Sequence, residues 1–564
     1  MTSPFGTPSQ LQPQSLVSVL VVDPSLGFDV SRSALNLPDG ATPNSDNFIM
    51  RDGRLEPRSV LSRLGAIPSA QSNIGFYNAG LLTGGTPANS AADARYLLVA
   101  GRGGVDGVFS APFCSWEWLG PGDTTWHDAS VLPFAPALND YWDFAQIYSD
   151  IYDENIVVGG VMSRGTILRA WVVGASGTVV LTGSPGARYV AAFSNYLVAA
   201  NTAEDGVAYP QRIRWSDRGS ASSWTGGVSG FEDLLAARGG ITRTIVLERR
   251  IIVFFEDEIW EGTPVDFPFT FNFAPLDTTV GCPFSWTVAV TPRGIVFMSR
   301  SFQLYLLPKE GGVAQPIGTP LHRRIRSTIV QPTKAFGAYD DINDHYQFYY
   351  SSGASANFAN RAAFLHFENG AWAPQSFDTT RLVLTRAFTA PLGLSHASTW
   401  DDFSSLQPAV TWDDMTESWD DLMGVGNERQ TVIALSPNTV FEYSATQRAD
   451  SIEPGSATTG IARFAFWEGK PQGATAPPVQ KAITRIDVEY VSPSASSLTV
   501  RTSPSQGAAY GVGIGLSLMT ASNVTQMPAY VYQPARYPMF RIETSEQTGI
   551  ELHRFHITTR AGGR

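Results

Sequence analysis

Three pairs of adjacent carboxylates, each directly after a tryptophan, are the residues of this chain whose type most clearly allows chemistry. Calcium takes about six to eight oxygen ligands from a shaped loop, so such pairs are candidate ligands. Their spacing of 12 and then 7 residues matches no calcium loop, and the alternative is a set of acidic turns that each aspartate caps. The sequence therefore predicts no metal site here. We interpret residues 399–422 as an inserted loop that contacts a neighbouring subunit or another protein, through Trp400, Asp401, Trp412, Asp413, Trp419 and Asp420.

A related turn at residues 214–224 places a serine and an aspartate between two indoles. It resembles the Asp-box turn of sialidases and related propellers, although serine and aspartate are adjacent here and are separated by one residue in that pattern. In those families the turn is structural, since a buried indole and short polar side chains lock a corner between strands. We therefore predict that the turn is locked by Trp215, Ser216, Asp217, Gly219 and Trp224. Trp126 is a weaker example of the same device.

No spacing of residues in the sequence singles out a catalytic site. A sialidase needs three converging arginines and a Tyr–Glu pair, and such a set can always be chosen from the many arginines and 19 tyrosines. The seven histidines are scattered, and no nucleophile-elbow, zinc-protease or phosphate-loop motif occurs. The sequence thus predicts no enzyme, no catalytic residue, no metal and no cofactor. A carbohydrate-binding or glycosidase propeller remains the alternative, because indoles stack on sugars and the turn at 214–224 is close to an Asp-box.

Composition indicates a large protein built from sheets. The chain has 564 residues, and its 52 glycines and 37 prolines make long helices improbable. Only 16% of the residues are charged, below the roughly 25% of typical globular proteins, which favours a chain buried in a larger assembly. Four of the 39 basic residues are lysines, and the net charge is -12. The sequence contains no long basic run, so we expect no surface that binds nucleic acid tightly. The one basic cluster, residues 322–326, is predicted to lie in a solvated loop or an interface.

Targeting and redox features are sparse. Cys114 and Cys282 lie far apart in the sequence and are interpreted as buried free thiols. The first residues lack a basic region followed by an apolar core, so we expect no signal peptide, and no apolar stretch is long enough to span a membrane. Synthesis in a cytoplasm is therefore expected.

The pattern along the chain predicts an all-β protein. Residues 1–90 form an arm with a hairpin at Asp52-Gly53, and residues 91–447 repeat an apolar strand, a tight turn and a second strand every 40 to 60 residues. About seven such units indicate a β-propeller, with an uncertainty of one or two blades. Residues 448–481 are a connection, and the strict alternation in 482–564 predicts a C-terminal antiparallel β-sandwich.

The order of these features resembles the propeller-containing tail hub, or nozzle, proteins of short-tailed bacteriophages. The resemblance is carried by the Asn47–Arg58 hairpin, the strand end at 212–224, the strand pair at 250–262, the Gly-Cys segment from residue 281 to Ser299, the tandem Trp-Asp turns and the basic C-terminal tail. It implies a structural virion protein that forms a ring, expected as a hexamer, below the portal and the head–tail adaptor. Such a ring would contact tail fibres or other tail proteins, let double-stranded DNA pass through its lumen without specific binding, and gate DNA ejection. A fibre-docking or baseplate protein is the other tail role that the resemblance leaves open.

Overall fold

A computed structural model describes residues 17–51, 53–66, 78–83, 95–103, 113–119, 127–132, 142–149, 154–161, 167–172, 177–265, 269–340, 343–353, 359–377, 384–391, 429–435, 439–444, 464–471, 480–545 and 550–561. Strands dominate these residues, and the one α-helix among them is α1 (Thr319–Thr328). The prediction of an all-β protein with repeated sheets is confirmed. No helix in the described part of the chain is long and apolar enough to cross a membrane.

The strands are numbered in chain order. They are β1 (Val17–Val22), β2 (Gly27–Phe28), β3 (Ala41–Thr42), β4 (Ser45–Asp46), β5 (Phe48–Arg51), β6 (Arg54–Pro57), β7 (Val60–Ala66), β8 (Asn78–Thr83), β9 (Arg95–Gly103), β10 (Phe113–Leu119), β11 (His127–Leu132), β12 (Trp142–Ser149), β13 (Glu154–Val161), β14 (Arg169–Val172), β15 (Thr178–Val180), β16 (Gly186–Phe193), β17 (Tyr196–Glu204), β18 (Val207–Trp215), β19 (Gly230–Asp233), β20 (Ile241–Leu247), β21 (Arg250–Phe255), β22 (Ile259–Pro264), β23 (Phe271–Asp277), β24 (Ala289–Thr291), β25 (Gly294–Met298), β26 (Leu304–Pro308), β27 (Gln315–Pro316), β28 (Phe336–Asp340), β29 (His345–Tyr350), β30 (Arg361–His366), β31 (Ala371–Ser376), β32 (Leu384–Pro391), β33 (Arg429–Leu435), β34 (Thr439–Ser444), β35 (Ala465–Glu468), β36 (Lys481–Ser492), β37 (Ser496–Ser503), β38 (Ile514–Leu518), β39 (Ala521–Ala535), β40 (Met539–Thr544) and β41 (Glu551–Ala561).

Seven four-stranded sheets follow one another through the described part of residues 60–444. Six are consecutive meanders, β8–β11, β12–β15, β16–β19, β20–β23, β24–β27 and β28–β31. The seventh has the order β32-β33-β34-β7, so its fourth strand comes from the beginning of the chain. First strands of neighbouring sheets contact one another in the pairs β8–β12, β12–β16, β16–β20, β24–β28 and β28–β32, and β32 of the last sheet contacts β8 of the first. This arrangement is consistent with a β-propeller, in which radial repetition leaves few exposed sheet edges.

Burial on both faces is seen in five of the second strands, β13, β17, β21, β25 and β29, and it explains their largely apolar sequences. In β21, Val253 and Phe255 belong to a hydrophobic cluster shared with β16–β18, while Ile252 and Phe254 belong to a cluster shared with β25. Since successive side chains of a strand point to opposite faces, one strand contributes to both interfaces with its neighbours. Apolar runs of this kind are the strands that the sequence predicts in each repeat.

The described chain divides into two compact units, residues 1–58, 368–374 and 462–564 (unit 1) and residues 59–367 and 375–461 (unit 2). Unit 1 contains the sheet β39-β36-β41-β6-β5, with β1 also paired to β41, and the sheet β38-β37-β40-β35-β4. Both sheets bury side chains in one hydrophobic cluster around Trp467, Phe540 and Phe555. Sequence analysis did not place the N-terminal strands in the same sheets as the C-terminal strands. The domain boundaries derived from the sequence stay a prediction.

Two local expectations have direct structural counterparts. Strands β5 and β6 pair as an antiparallel hairpin, and Gly53 adopts a positive φ of 76° at its turn. The basic cluster at 322–326 lies on helix α1 instead of in a loop, because Leu321 and Ile325, four residues apart, share one buried helix face.

Candidate functional site

The turn at 214–224 follows β18 and is held by side-chain contacts to the backbone. The Ser216 side chain is fully buried, and its hydroxyl accepts a hydrogen bond of 3.0 Å from the Leu197 amide. The Asp217 carboxylate accepts hydrogen bonds from the amides of Arg218 and Val228, at 2.9 and 3.0 Å. Gly219 has a φ of 75°, a conformation that favours glycine. Each short polar residue of the turn therefore satisfies a backbone group.

The two indoles of this turn pack toward different neighbouring sheets. Trp215 lies in the cluster shared with β20–β23 and makes an edge-to-face contact with Phe271, with ring centroids 5.1 Å apart. Trp224 lies in the cluster shared with β12–β14, and its indole nitrogen donates to the Ala221 carbonyl at 2.9 Å. One turn thus contacts the sheets on both sides of its own. The role of these residues as turn locks stays a prediction, now with defined contacts to test.

The other residues singled out from the sequence cannot be placed. Trp126, Trp400, Asp401, Trp412, Asp413, Trp419 and Asp420 lie outside the described residues. The segment 399–422 falls between the bounds of β32 and β33 in the chain. Within the described residues, no group of three or more His, Cys, Asp or Glu side chains is arranged to hold a metal ion.

A polar cluster that sequence analysis missed lies on the first strands of consecutive sheets. We call it the inner-strand cluster, and its members are Asp143 on β12, Tyr189 on β16, Arg243 on β20, and Ser285 and Trp286 in the short turn before β24. Asp143 Oδ1 accepts from Arg243 Nη1 at 2.6 Å, although the two residues are 100 positions apart. Because β16 lies between β12 and β20 in chain order, this ion pair joins two sheets that are not neighbours in sequence.

The remaining contacts of the inner-strand cluster surround this ion pair. Asp143 Oδ2 accepts from the Val190 amide at 3.1 Å. The Arg243 guanidinium lies 4.8 Å from the Trp286 ring centroid, within the range of a cation–π contact. Tyr189 and Ser285 share a hydrogen bond of 2.8 Å between their hydroxyls. Arg243 Nε is buried without a hydrogen-bond partner in the described part of the chain, so the guanidinium keeps one unused donor.

Burial governs the acid–base properties around this cluster. It raises the pKa of the Tyr189 phenol, against the lowering effect of the Ser285 hydrogen bond and of nearby Arg188 and Arg243. Burial likewise raises the pKa of the Cys282 thiol to about 11, against the lowering effect of its hydrogen bond with Thr287. Both groups therefore stay protonated at neutral pH, the tyrosine as a hydrogen-bonding hydroxyl and the cysteine as an unreactive thiol.

Unit 1 contains a long stretch of sequence without charged residues. Residues 502–535, which include β38 and β39, contain no Lys, Arg, Asp or Glu. Four apolar or aromatic side chains of this stretch are largely exposed. They are Val512 (95%), Met519 (73%), Tyr530 (67%) and Tyr532 (74%). These exposed apolar side chains therefore lie in a segment that carries no charge.

Comparison with known proteins does not assign this chain to a family. No protein-family model matches the chain, and no curated protein is similar to it in sequence. Among solved structures it is similar to an exo-β-1,3-galactanase from Phanerochaete chrysosporium, with 8% identity, a TM-score of 0.25, and coverage of 89% of this chain and 100% of that one. A glycoside hydrolase family 43 arabinoxylan arabinofuranohydrolase from Bacillus subtilis has 11% identity, a TM-score of 0.21 and coverage of 89% and 99%. The hemagglutinin-neuraminidase ectodomain of parainfluenza virus 5 has 8% identity, a TM-score of 0.30 and coverage of 71% and 86%.

These similarities correct one prediction. The expectation that the chain is not an enzyme rested on the absence of any motif or spacing that selects catalytic residues. That expectation is contradicted, since the similar solved structures include a galactanase, an arabinofuranohydrolase and a hemagglutinin-neuraminidase. Repeated sheets place no restriction on catalysis, because function resides in sites carried by a fold and differs among proteins that share it. At these identities and TM-scores, the similarities assign no activity to this chain.

Proposed function

We propose that this chain is a structural protein of a bacteriophage tail, a hub or nozzle that assembles into a ring of identical copies. We infer a seven-bladed propeller from the seven four-stranded sheets and a two-sheet sandwich from unit 1. The proposal also draws on the order of sequence motifs that resembles such proteins. A second tail role, as a fibre-docking or baseplate protein, uses the same architecture.

The observation that carries the proposal is the uncharged, exposed segment of unit 1. An isolated soluble protein is kept in solution by charge on its surface, and apolar patches larger than a few hundred Å² are rare on monomers. Residues 502–535 combine a complete absence of charged side chains with exposed Tyr530 and Tyr532. This surface is favourable only when another molecule covers it, as in a virion assembly.

The charge of the chain supports passage of DNA through such a ring. The net charge of -12 repels the phosphate backbone, and a ring of copies multiplies that charge. A negatively charged channel does not bind DNA tightly during ejection. The charge also predicts that the purified chain does not retain double-stranded DNA at physiological salt.

Deleting the gene in the source phage tests this proposal. The expected product is particles with DNA-filled heads and no completed tail, and labelled antibody against the purified chain should mark the tail of wild-type particles. Fully infectious deletion particles with normal tails would refute a tail role. A fibre-docking role would instead leave a tail that lacks fibres, so the same micrographs separate the two tail assignments.

The inner-strand cluster favours a second candidate, a carbohydrate-binding or glycoside-cleaving propeller. Sialidases use arginines that bind a carboxylate and a tyrosine nucleophile, and indoles stack on sugars. Arg243, Trp286 and Tyr189 bring these three residue types together in one buried cluster.

A panel of acidic and neutral glycans tests this candidate with the purified chain. Binding or turnover that is lost in Trp286→Ala or Tyr189→Phe, and retained in the exposed control Leu235→Ala, would support it. The absence of binding and turnover across the panel would eliminate it.

A further inference from the structure

The six-stranded sheet of unit 1 has uncharged strands at two opposite edges. Among the described residues, β39 pairs only with β36, and β1 pairs only with β41. Neither the 15 residues of β39 nor the six of β1 include a charged side chain. Exposed edge strands usually carry charge or proline that hinders pairing with another chain. On these two edges the only such residues are Pro528 and Pro534, which leave residues 529–533 of β39 free of both.

The strand directions of this sheet allow one copy to continue the sheet of the next. All the pairs β39–β36, β36–β41 and β41–β1 are antiparallel. Consequently β1 and β36 run in one direction, and β39 and β41 run in the other. If β1 of one copy is placed beside β39 of a second copy in the same orientation, the new pair is also antiparallel, and the alternation continues unbroken.

The side chains at the two edges are complementary on the outer face of the sheet. Leu20 of β1 packs on the core of unit 1, so the alternation exposes Val17, Val19 and Val21 on the other face, at 58%, 60% and 48%. On β39, Ala529 and Val531 face the core and leave Tyr530 and Tyr532 on that outer face. Cross-strand pairs of an aromatic with a β-branched residue are among those that stabilise sheets.

We propose that β1 of one copy pairs with β39 of the next copy, and that this head-to-tail contact closes the ring. The inference deepens the proposed function and rests on its ring. The occupant of each edge is a second copy of this chain, because the two edges differ and complement each other. An interface between two different surfaces generates rings, whereas the pairing of β39 with itself would stop at a dimer.

Two single substitutions and a control test the contact in the full chain. Val19→Lys places a charge on β1, Tyr532→Lys places one on β39, and Leu235→Lys places one on a similarly exposed apolar residue of unit 2. Each edge variant should weaken assembly by about 100-fold or more in sedimentation velocity, since each loses an anchor and buries an unpaired charge. The control should assemble as the wild-type chain does.

Mixing the two edge variants gives the decisive result. The Val19→Lys chain keeps a functional β39, and the Tyr532→Lys chain keeps a functional β1, so an equimolar mixture should form dimers and no rings. Dimers of Val19→Lys alone would overturn the inference in favour of pairing between two β39 strands. Hydrogen exchange of wild-type protein supplies a readout without variants, because the β1 and β39 amides should gain protection on assembly.

The remaining outcomes separate this inference from the proposed function. Rings whose β1 and β39 amides stay unprotected would overturn the edge contact and leave the ring intact. A wild-type chain that stays monomeric at every concentration would overturn the edge contact, while the tail role would still be decided by the gene deletion. Wild-type rings together with dimers in the mixture would establish the contact, whatever the deletion shows.

Discussion

The ion pair between Asp143 and Arg243 gives the sharpest test of how the sheets of unit 2 are joined. The two side chains are 4% and 14% exposed, and their closest nitrogen and oxygen lie 2.6 Å apart. Asp143→Asn keeps the shape of the side chain, and its amide oxygen can still accept from the Val190 amide. Arg243→Met keeps an apolar stem of similar length. The double variant removes both charges at once.

The expected magnitudes follow from this burial. Removing one partner of a buried ion pair leaves an uncompensated charge and costs about 3–5 kcal/mol. Each single variant should therefore lose about that much free energy of unfolding. The double variant leaves no unpaired charge, so it should be no less stable than the worse single variant. The coupling energy between the two sites should then be at least about 3 kcal/mol, at the upper end of the range for residues in direct contact.

Urea unfolding followed by hydrogen exchange provides the assay. Exchange identifies the transition in which β12 and β20 lose protection, and its midpoint gives the stability of the four proteins in the cycle. Losses that simply add up, with a coupling energy near zero, would refute the view that this pair ties two non-adjacent sheets together. Single variants within about 0.5 kcal/mol of wild type, the range of ordinary surface substitutions, would refute it as well.

Four further predictions concern the turn and two titrating groups. Ser216→Ala should lower the free energy of unfolding by about 1–3 kcal/mol and speed hydrogen exchange of the Leu197 amide, because that buried amide loses its acceptor. The control Ser222→Ala should have little effect, and equal losses in both variants would contradict this prediction. In a Cys114→Ser background, Cys282 should react with a thiol reagent only after unfolding, and reaction at the rate of an exposed thiol in the native state would show that it is not buried. Its pKa is raised from 9.0 to about 11, so its contribution to stability is complete below pH 9 and is lost as the pH rises toward 11; Cys282→Ala should flatten this alkaline decline measured by urea unfolding. The hydrogen bonds from Arg212 lower the pKa of Asp233, so that pair should stabilise the fold above the ordinary carboxyl pKa of 3.8 and lose its effect as the pH falls further, and an unchanged acid profile in Asp233→Asn would contradict this.

Sequence analysis succeeded where structure depends on local pattern. The apolar runs of β21 and β25 predicted buried strands, and Asp52-Gly53 predicted the β5–β6 hairpin, because side-chain alternation and turn preferences are properties of a few consecutive residues. The turn after β18 was singled out for the same reason, since its serine, aspartate and indoles lie within 11 residues of sequence.

Sequence analysis missed contacts that depend on distant parts of the chain. Asp143 and Arg243 are ordinary residues within apolar strands, and nothing in their local sequence indicates a partner 100 positions away. The only local signal is that a charged residue interrupts the apolar first strand of two of the repeated sheets. The non-enzyme prediction failed for a related reason, since it relied on local motifs, whereas a catalytic set can be assembled from distant parts of the chain.

The sequence by itself determined that this chain is built from repeated sheets, with breakers between strands and little charge. Only the tertiary structure decided which strands pair. It joins β7 to β34 across more than 370 positions and β1 to β41 across more than 530. Backbone hydrogen bonds at a strand edge are nearly the same for every residue type, so local sequence does not specify a distant partner. The partner is fixed by where the sheets bring the two ends of the chain, and by the apolar faces that must be buried there.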